Sequence, residues 1–413
     1  MHIELKYGKS SLPLIVKDSD LAGILMPNAL TAHTTGIDEL RRAMENPIGT
    51  GRLKTIVKPG EKVAIITSDI TRPVPSNIML PVVLEELEEA GVSRDDITVV
   101  FALGSHRKHT EAEKRHLAGD RVYETCRCID SDPSDCVYAG TTSFGTPVDV
   151  FRPVYEANRR ICLGNIEYHY FAGYSGGAKA LMPGVSSLRA IQANHSKMLM
   201  EGARTGELSA NPIRLDIEEA AGLVPIDFIL NVVLDENKQI VKAVAGHHIK
   251  AHRAGCDFLD SFYKVKIKER ADIVVASAGG YPKDINLYQA QKALDNAAHA
   301  VKPGGAIILV ASCSEGYGSE VFKRWIESAV APEDLTEGIR KRFELGGHKA
   351  AAIAKVKAMC DIYLVSDMPE DMARKAFMKP YSSLQKAYDD AAGSLRERKT
   401  IIMPYGGSTL PVV

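Results

Sequence analysis

The chain alternates repeatedly between a short apolar run, a Gly- or Ser-rich turn and an amphipathic segment, and few folds accommodate that rhythm. Residues 62–70, KVAIITSDI, read as a buried strand, and 75–91, PSNIMLPVVLEELEEAG, as the helix after it. Leu80, Leu84 and Leu87 are spaced four and three apart, which sets them on one helical face. Pro81 falls inside that segment, so the helix kinks there or starts close to it. A second strand is expected over 95–106, with a following helix capped by Thr110, and a third strand over 159–169. A helix over 186–200 takes Ser186 or Ser187 as its cap. Apolar strands separated by helices imply a parallel sheet covered on both faces. Residues 226–247 break the rhythm: two β-rich runs flank DENK, which predicts a hairpin.

At about 100–200 residues per domain, a chain of 413 residues predicts two domains. A helix over 250–270 serves as connector, and the strand–helix pattern restarts at ADIVVASAGG. The expected fold class is α/β, with two Rossmann-like α/β domains. The first spans 1–265 and carries the catalytic and cofactor-binding loops; the second spans 266–403. Residues 404–413 are a segment able to return to the first domain.

Composition excludes several classes. The formal net charge is −1, basic residues are not gathered in blocks and aromatics make up 6%, so no nucleic-acid partner is expected. The apolar runs are strand-length, far below the ~20 residues of a membrane span, so no membrane association is expected. Seven cysteines at scattered spacings fit free thiols in a reducing, cytoplasmic compartment.

The chemistry-bearing residues fall at strand ends, where ligands of open α/β sheets bind. SDITRPVPS follows the first strand and offers Asp69, Thr71 and Arg72; the plainer reading makes Arg72 half of a surface ion pair. GSHR places His106 at the next strand end, with Arg107 and His109 close by and not separable by chemistry alone. EYHYFAGYSGGAK sets His169 and Lys179 ten residues apart around a turn in which Gly173, Gly176 and Gly177 let backbone N–H groups approach a phosphate. It is not a Walker A loop, because Ala180 follows Lys179. His195, beside Asn194, is read either as a metal ligand or as an ordinary helix residue. In the second domain SAGGYPKDINLYQAQKAL repeats the layout, with Tyr288, and with Gln289 and Lys292 three apart on one helix face. Cys126, Cys128 and Cys136 lack the partner spacing of a zinc site, and VKPGGAIILV lacks the glycine fingerprint of a dinucleotide site.

Taken in order, SDITRP, GSHR, EYHYFAGYSGGAK, NHSKM and YPKDINLYQAQK resemble the nickel-dependent lactate racemases and their relatives, which act on 2-hydroxy acids, and the resemblance covers nearly the whole chain. It implies an isomerase with its active site in the cleft between two α/β domains. It also implies a nickel pincer nucleotide cofactor, pyridinium-3-thioamide-5-thiocarboxylic acid mononucleotide, made by separate cofactor-biosynthesis proteins. By that resemblance Lys179 is joined to the cofactor as a thioamide, His195 ligates the nickel, and His106 and His169 are the acid–base pair. Arg72, Gln289 and Lys292 match residues that bind substrate or cofactor anions, with Tyr288 beside them. Asp69, Gly176 and Gly177 are assigned to the cofactor with Lys179 and Arg72. The implied reaction is racemisation or epimerisation of a small 2-hydroxy acid of the lactate type, the α-hydrogen leaving as hydride to the nickel cofactor. The alternatives are an epimerase of a larger sugar acid such as gluconate, and a carrier that holds the nickel nucleotide without turnover.

Overall fold

A computed structural model describes residues 1–28, 34–235 and 237–413. It divides into two compact units, Leu30–Asp260 and Met1–Ala29 with Ser261–Val413.

In the unit Leu30–Asp260 six strands form one sheet: β1 (Val63–Ser68), β2 (Ile97–Ala102), β3 (Arg127–Asp130), β4 (Arg159–Asn165), β5 (Phe228–Leu234) and β6 (Ile240–Gly246). Their order is β6-β5-β4-β1-β2-β3. All neighbours are parallel except β5 and β6, the antiparallel hairpin expected from the sequence. Glu236, in its DENK turn, lies outside the described residues. The helices that bear on the site are α1 (Ser76–Glu89), α2 (Glu111–Ala118), α3 (Leu188–His195), α4 (Pro212–Leu223) and α5 (Lys250–Tyr263). Leu80, Leu84 and Leu87 of α1 are at most 1% exposed and pack with Ile65, Val99 and Leu163 of the sheet. Burial of that stripe, worth about 1.5–3 kcal/mol per side chain, fixes the helix against the sheet. α1 begins at Ser76 and runs through Pro81, five residues beyond its start. Thr110 caps α2 in a reciprocal capping box with Glu113, and Ser187 caps α3. α3 ends at His195, short of the expected residue 200, and passes into a 3₁₀ turn over Ser196–Leu199. The connector α5 likewise stops at Tyr263 and not at 270.

This topology has one switch point. From β1 the chain adds β2 and β3 on one side, then crosses to β4 and β5 on the other. The crevice at the carboxyl ends of β1 and β4 is the place where open α/β sheets generally receive ligands. SDITRP leaves β1 and EYHYFAGYSGGAK leaves β4, so the two motifs meet at that edge.

The second unit is built on β7 (Ala271–Ser277), β8 (Val301–Val310), β9 (Asp361–Val365), β10 (Lys379–Tyr381) and β11 (Thr400–Met403), with helix α6 (Leu287–Ala297). The order is β10-β9-β8-β7-β11, and Leu21–Ile24 adds a sixth strand beside β11; all pairs are parallel. The hairpin His2–Tyr7/Ser10–Ile15 packs Leu5 and Leu14 on one face, against Ile273, Val275, Ile308 and Val310. α6 covers the other with Leu287, Ala290, Ala293, Leu294 and Ala297. The division therefore departs from 1–265 and 266–403 at both ends. Residues before 29 belong to the later unit, where Leu21–Ile24 pairs with β11. Leu410–Val412 pairs with Lys264–Lys266 inside the same unit, so the 404–413 segment does not return to the first. Among the described residues, no helix is long and apolar enough to cross a membrane.

Candidate active site

Asp69 closes β1 and is 4% exposed. Its Oδ2 accepts a hydrogen bond from His106 Nδ1 at 2.8 Å, and its Oδ1 accepts from Thr71 Oγ1 at 3.1 Å. Burial pushes the Asp69 carboxyl up, but His106, Thr71 and the charge of Arg72 outweigh it and hold the group below the usual carboxylate range. An ionised carboxylate only accepts, so Nδ1 of His106 carries the hydrogen and Nε2 bears the lone pair. That arrangement, an imidazole held in one tautomer by the carboxylate behind it, is one that could serve as a general base. His109, left open beside His106 by the sequence, is accounted for. Its Nδ1 donates to Asp130 at 2.6 Å and its Nε2 accepts the Ile70 N–H at 3.1 Å, so it braces the β1 loop. Arg107 pairs with Glu113.

After β4 the chain makes a miniature hairpin, Tyr168–His169 against Gly173–Tyr174, and then the glycine turn. His169 is half-buried, with Phe171 edge-on at 4.4 Å. Its Nδ1 accepts the Ala172 N–H at 3.3 Å, which leaves the hydrogen of the neutral ring on Nε2. The two imidazoles are thus inequivalent, one resting as an acceptor and the other as a donor. Burial first, then Lys179 and Arg72, hold His169 well below the ordinary histidine value. Burial, Arg72 and Arg214 likewise hold Lys179 well below the lysine range, which favours the free amine, the nucleophilic form. Among the described residues neither Arg72 nor Lys179 forms an ion pair, so the surface-pair reading of Arg72 does not hold. Arg72, a cation with no ion pair among the described residues, and the Lys179 amine both act on His169, surroundings suited to an anion.

The glycines have a different physical reason from the expected one. Gly176 (φ +76°) would place a Cβ 2.7 Å from Asn231 Oδ1, and Gly177 (φ +61°) would place one 2.9 Å from the His252 ring. The Gly177 N–H is donated to Asn231 Oδ1 at 2.7 Å. These two glycines are required by close packing on the protein's own interior, and the Gly177 N–H is not available to a phosphate.

Sequence reasoning missed what holds the loop from beneath. Arg214 of α4 is fully buried and donates to the carbonyls of Tyr174, of Gly176 at 3.3 Å and of Ala172 at 3.5 Å. His252 of α5 bonds the Ser175 carbonyl at 2.8 Å through Nε2. The signal was faint: Arg214 sits at helical spacing from the apolar Ile217 and Ala221, but Glu218 shares that face.

His195, at the end of α3, is 9% exposed, and Phe171 stands edge-on to it at 5.0 Å. Burial, then the charges of Lys179, Arg72 and Lys197, lower its value to about 3, so the ring is neutral, as a metal ligand must be. Its Nδ1 faces Asn194 Oδ1 at 3.2 Å. Among the described residues no three His, Cys, Asp or Glu side chains converge to hold a metal. His195, a neutral imidazole, and Lys179, a free amine, could serve as ligand and anchor for a group that brings most of its own metal ligands.

Tyr288, Gln289 and Lys292 belong to the other unit, in the first turns of α6. Asn286 caps that helix through the Gln289 N–H at 3.0 Å. Gln289 and Lys292 are exposed on one face, and the Tyr288 ring carries the Lys349 ammonium 4.0 Å above its centre.

Known proteins match this chain end to end. The family described as Lactate racemase N-terminal domain matches residues 7–206, and Lactate racemase C-terminal domain matches 266–410. The lactate racemase of Thermoanaerobacterium thermosaccharolyticum is 36% identical over 422 residues, covering 99% of each chain. That of Lactiplantibacillus plantarum is 33% identical over 417 residues, covering 98% of each. The structure of the lactate racemase apoprotein from T. thermosaccharolyticum superposes with a TM-score of 0.88 over 100% of both chains. With both family domains matched and full-length relatives above 30% identity, the chain belongs to the lactate racemase family.

Proposed function

We propose that this protein racemises a small 2-hydroxy acid, with lactate the first substrate to test, using His106 and His169 as acid–base pair and a nickel pincer nucleotide as cofactor. The observation that carries this reading is the pair of imidazoles with opposite resting roles, with Arg72, which forms no ion pair among the described residues, acting on His169. Arg72 clamps the substrate carboxylate through its paired N–H groups. His106 Nε2, backed by Asp69, takes the hydroxyl proton of one enantiomer. His169 serves the hydroxyl of the other, which projects to the opposite side. A bound anion offsets the charge of Arg72 and so raises the proton affinity of His169. Its 3.3 Å bond from Ala172 is long enough to yield when the ring takes up a proton. Lys179 and His195 would hold the cofactor, one through its free amine and the other through Nε2. Gln289, Lys292 and Tyr288 of the other unit are assigned to substrate. When bound, the cofactor supplies a reversible two-electron sink for the α-C–H bond, which removes the need for a carbanion beside a carboxylate.

The test is a chiral assay on nickel-loaded protein from a host that makes the cofactor. Single enantiomers of lactate, malate, glycerate and phenyllactate are supplied without NAD, with gluconate as a sugar acid. Interconversion of a small hydroxy acid supports the proposal, and conversion of gluconate alone moves the substrate to sugar acids. No conversion on protein with verified nickel and cofactor overturns it in favour of a carrier. A mass increment on the Lys179 peptide of the same sample supports attachment there.

A further inference from the structure

The structure assigns a task to two buried residues outside the reacting set: we propose that Asn194 and Asp216 are positioning residues that fix the tautomer of His195, keeping Nε2 as its lone-pair nitrogen. The inference rests on the reading of His195 as the nickel ligand.

Asn194 and Asp216 are both 0% exposed. The Asn194 amide nitrogen lies 2.8 Å from Asp216 Oδ2 and 3.4 Å from the Ile213 carbonyl. Both are acceptors, so the NH₂ end of the amide must face them. Turning the amide over would set its oxygen against a carboxylate and a carbonyl in a buried space, a cost of the kind that leaves buried polar groups unmade. The amide oxygen therefore faces His195 Nδ1, and that nitrogen must carry the hydrogen. In the neutral ring the lone pair then belongs to Nε2.

Asp216 is itself locked. Its Oδ1 accepts from Thr142 Oγ1 and its Oδ2 from Thr146 Oγ1 at 2.6 Å, while Lys197 Nζ lies 3.1 Å away. Lys197 also donates to Thr146 Oγ1 at 2.6 Å and to the Ala193 carbonyl at 2.8 Å. The chain Lys197–Asp216–Asn194–His195 thus has one self-consistent set of donors and acceptors. Metal-bound histidines commonly donate their second ring nitrogen to such a partner, which fixes both tautomer and ring orientation. α4 supplies Asp216 two residues after Arg214, so one helical turn braces both His195 and the loop that carries Lys179.

The tautomer is read directly in metal-free protein by two-bond ¹H–¹⁵N correlation spectra with ¹⁵N-histidine labelling at neutral pH. The His195 signals are assigned by their loss in His195→Gln. The wild type is expected to show Nδ1–H with bare Nε2. Asn194→Leu and Asp216→Asn are expected to move His195 toward the Nε2–H form that free imidazole side chains prefer. Nickel is then measured on cofactor-loaded wild type and Asn194→Leu after exposure to a chelator, with retention expected to fall about 10- to 100-fold. An Nε2–H wild type, or a tautomer unmoved by Asn194→Leu, overturns the proposal; Asn194→Leu decides alone if Asp216→Asn fails to fold. A tautomer that moves while nickel retention stays at the wild-type level upholds the relay and overturns the ligand reading of His195.

Discussion

Replacing Asp69 by Asn isolates one electrostatic term. The side chain keeps its size and an acceptor oxygen, so His106 and Thr71 keep their neighbour; only the charge behind the imidazole goes. With His106 Nδ1 at 2.8 Å from Oδ2, the ring and carboxylate charges are centred about 4 Å apart, and an effective dielectric of about 20 gives ~4 kcal/mol. That stabilisation exists only when His106 is protonated, in the transition state and after. At 1.36 kcal/mol per tenfold, kcat should fall about 10³-fold. An Asn amide that turns its NH₂ to the ring would force the wrong tautomer and bring the loss nearer 10⁴-fold. The assay is chiral chromatography from each pure enantiomer. A racemisation has an equilibrium constant of one, so kcat/KM must fall by the same factor in both directions. Nickel content is measured on the same sample, because Asp69 is also assigned to the cofactor, and loss of its depressed carboxylate should lower the thermal midpoint. A variant within tenfold of wild type, with nickel unchanged, refutes the base assignment of His106.

Two further outcomes follow from buried charges. Burial favours neutral Glu39, but Arg42, Thr34, the Ala243 N–H and Lys242 outweigh it and bring the carboxyl from 4.5 to about 2. A depressed carboxyl stabilises the fold above its unfolded value and loses that contribution as pH falls through the folded one. About 3 kcal/mol should therefore disappear between pH ~4.5 and 2, and Glu39→Gln should flatten that limb in urea titrations at stepped pH; parallel curves for the two proteins would refute it. Arg214→Met leaves the carbonyls of Ala172, Tyr174 and Gly176 without their donor, at about 1–3 kcal/mol each, partly offset by no longer burying a guanidinium. A net loss of ~3 kcal/mol in urea unfolding is expected, with reduced turnover from a loosened Lys179 loop; an unchanged midpoint with unchanged turnover would remove Arg214 from that role.

The strand–turn–helix rhythm made both sheets legible, since apolar runs such as VAIITS and DIVVAS have no other use in an α/β chain. The reacting loops were legible for the same reason: their residues stand at strand ends. The unit boundary was not. Pairing of Leu21–Ile24 with β11 joins residues far apart in sequence, and a four-residue strand carries no sign of its partner. The interior packing of Gly176 and Gly177 was not legible, because a Gly-rich turn looks alike whether its close neighbour is a phosphate or an Asn side chain. Arg214 and Asp216 went unread because a charged residue in a helix is ordinarily solvated; only the apolar neighbours at helical spacing marked them as interior.

The placing of Leu21–Ile24 has a consequence for synthesis. Among the described residues that strand pairs only with Thr400–Met403, through Thr400↔Leu21, Ile401↔Gly23 and Ile402↔Ile24. Its partner leaves the ribosome last among the sheet's strands. At about 5–20 residues per second the first strand waits roughly 20–75 s before it has anything to pair with. The unit Leu30–Asp260 has no such debt and can close while translation continues. A chain stopped before residue 400 would carry an unpaired edge at β7 and an orphaned amino-terminal strand, a pairing hazard for other chains. Truncations at the carboxyl terminus should therefore aggregate through the second sheet while leaving the histidine-bearing unit folded.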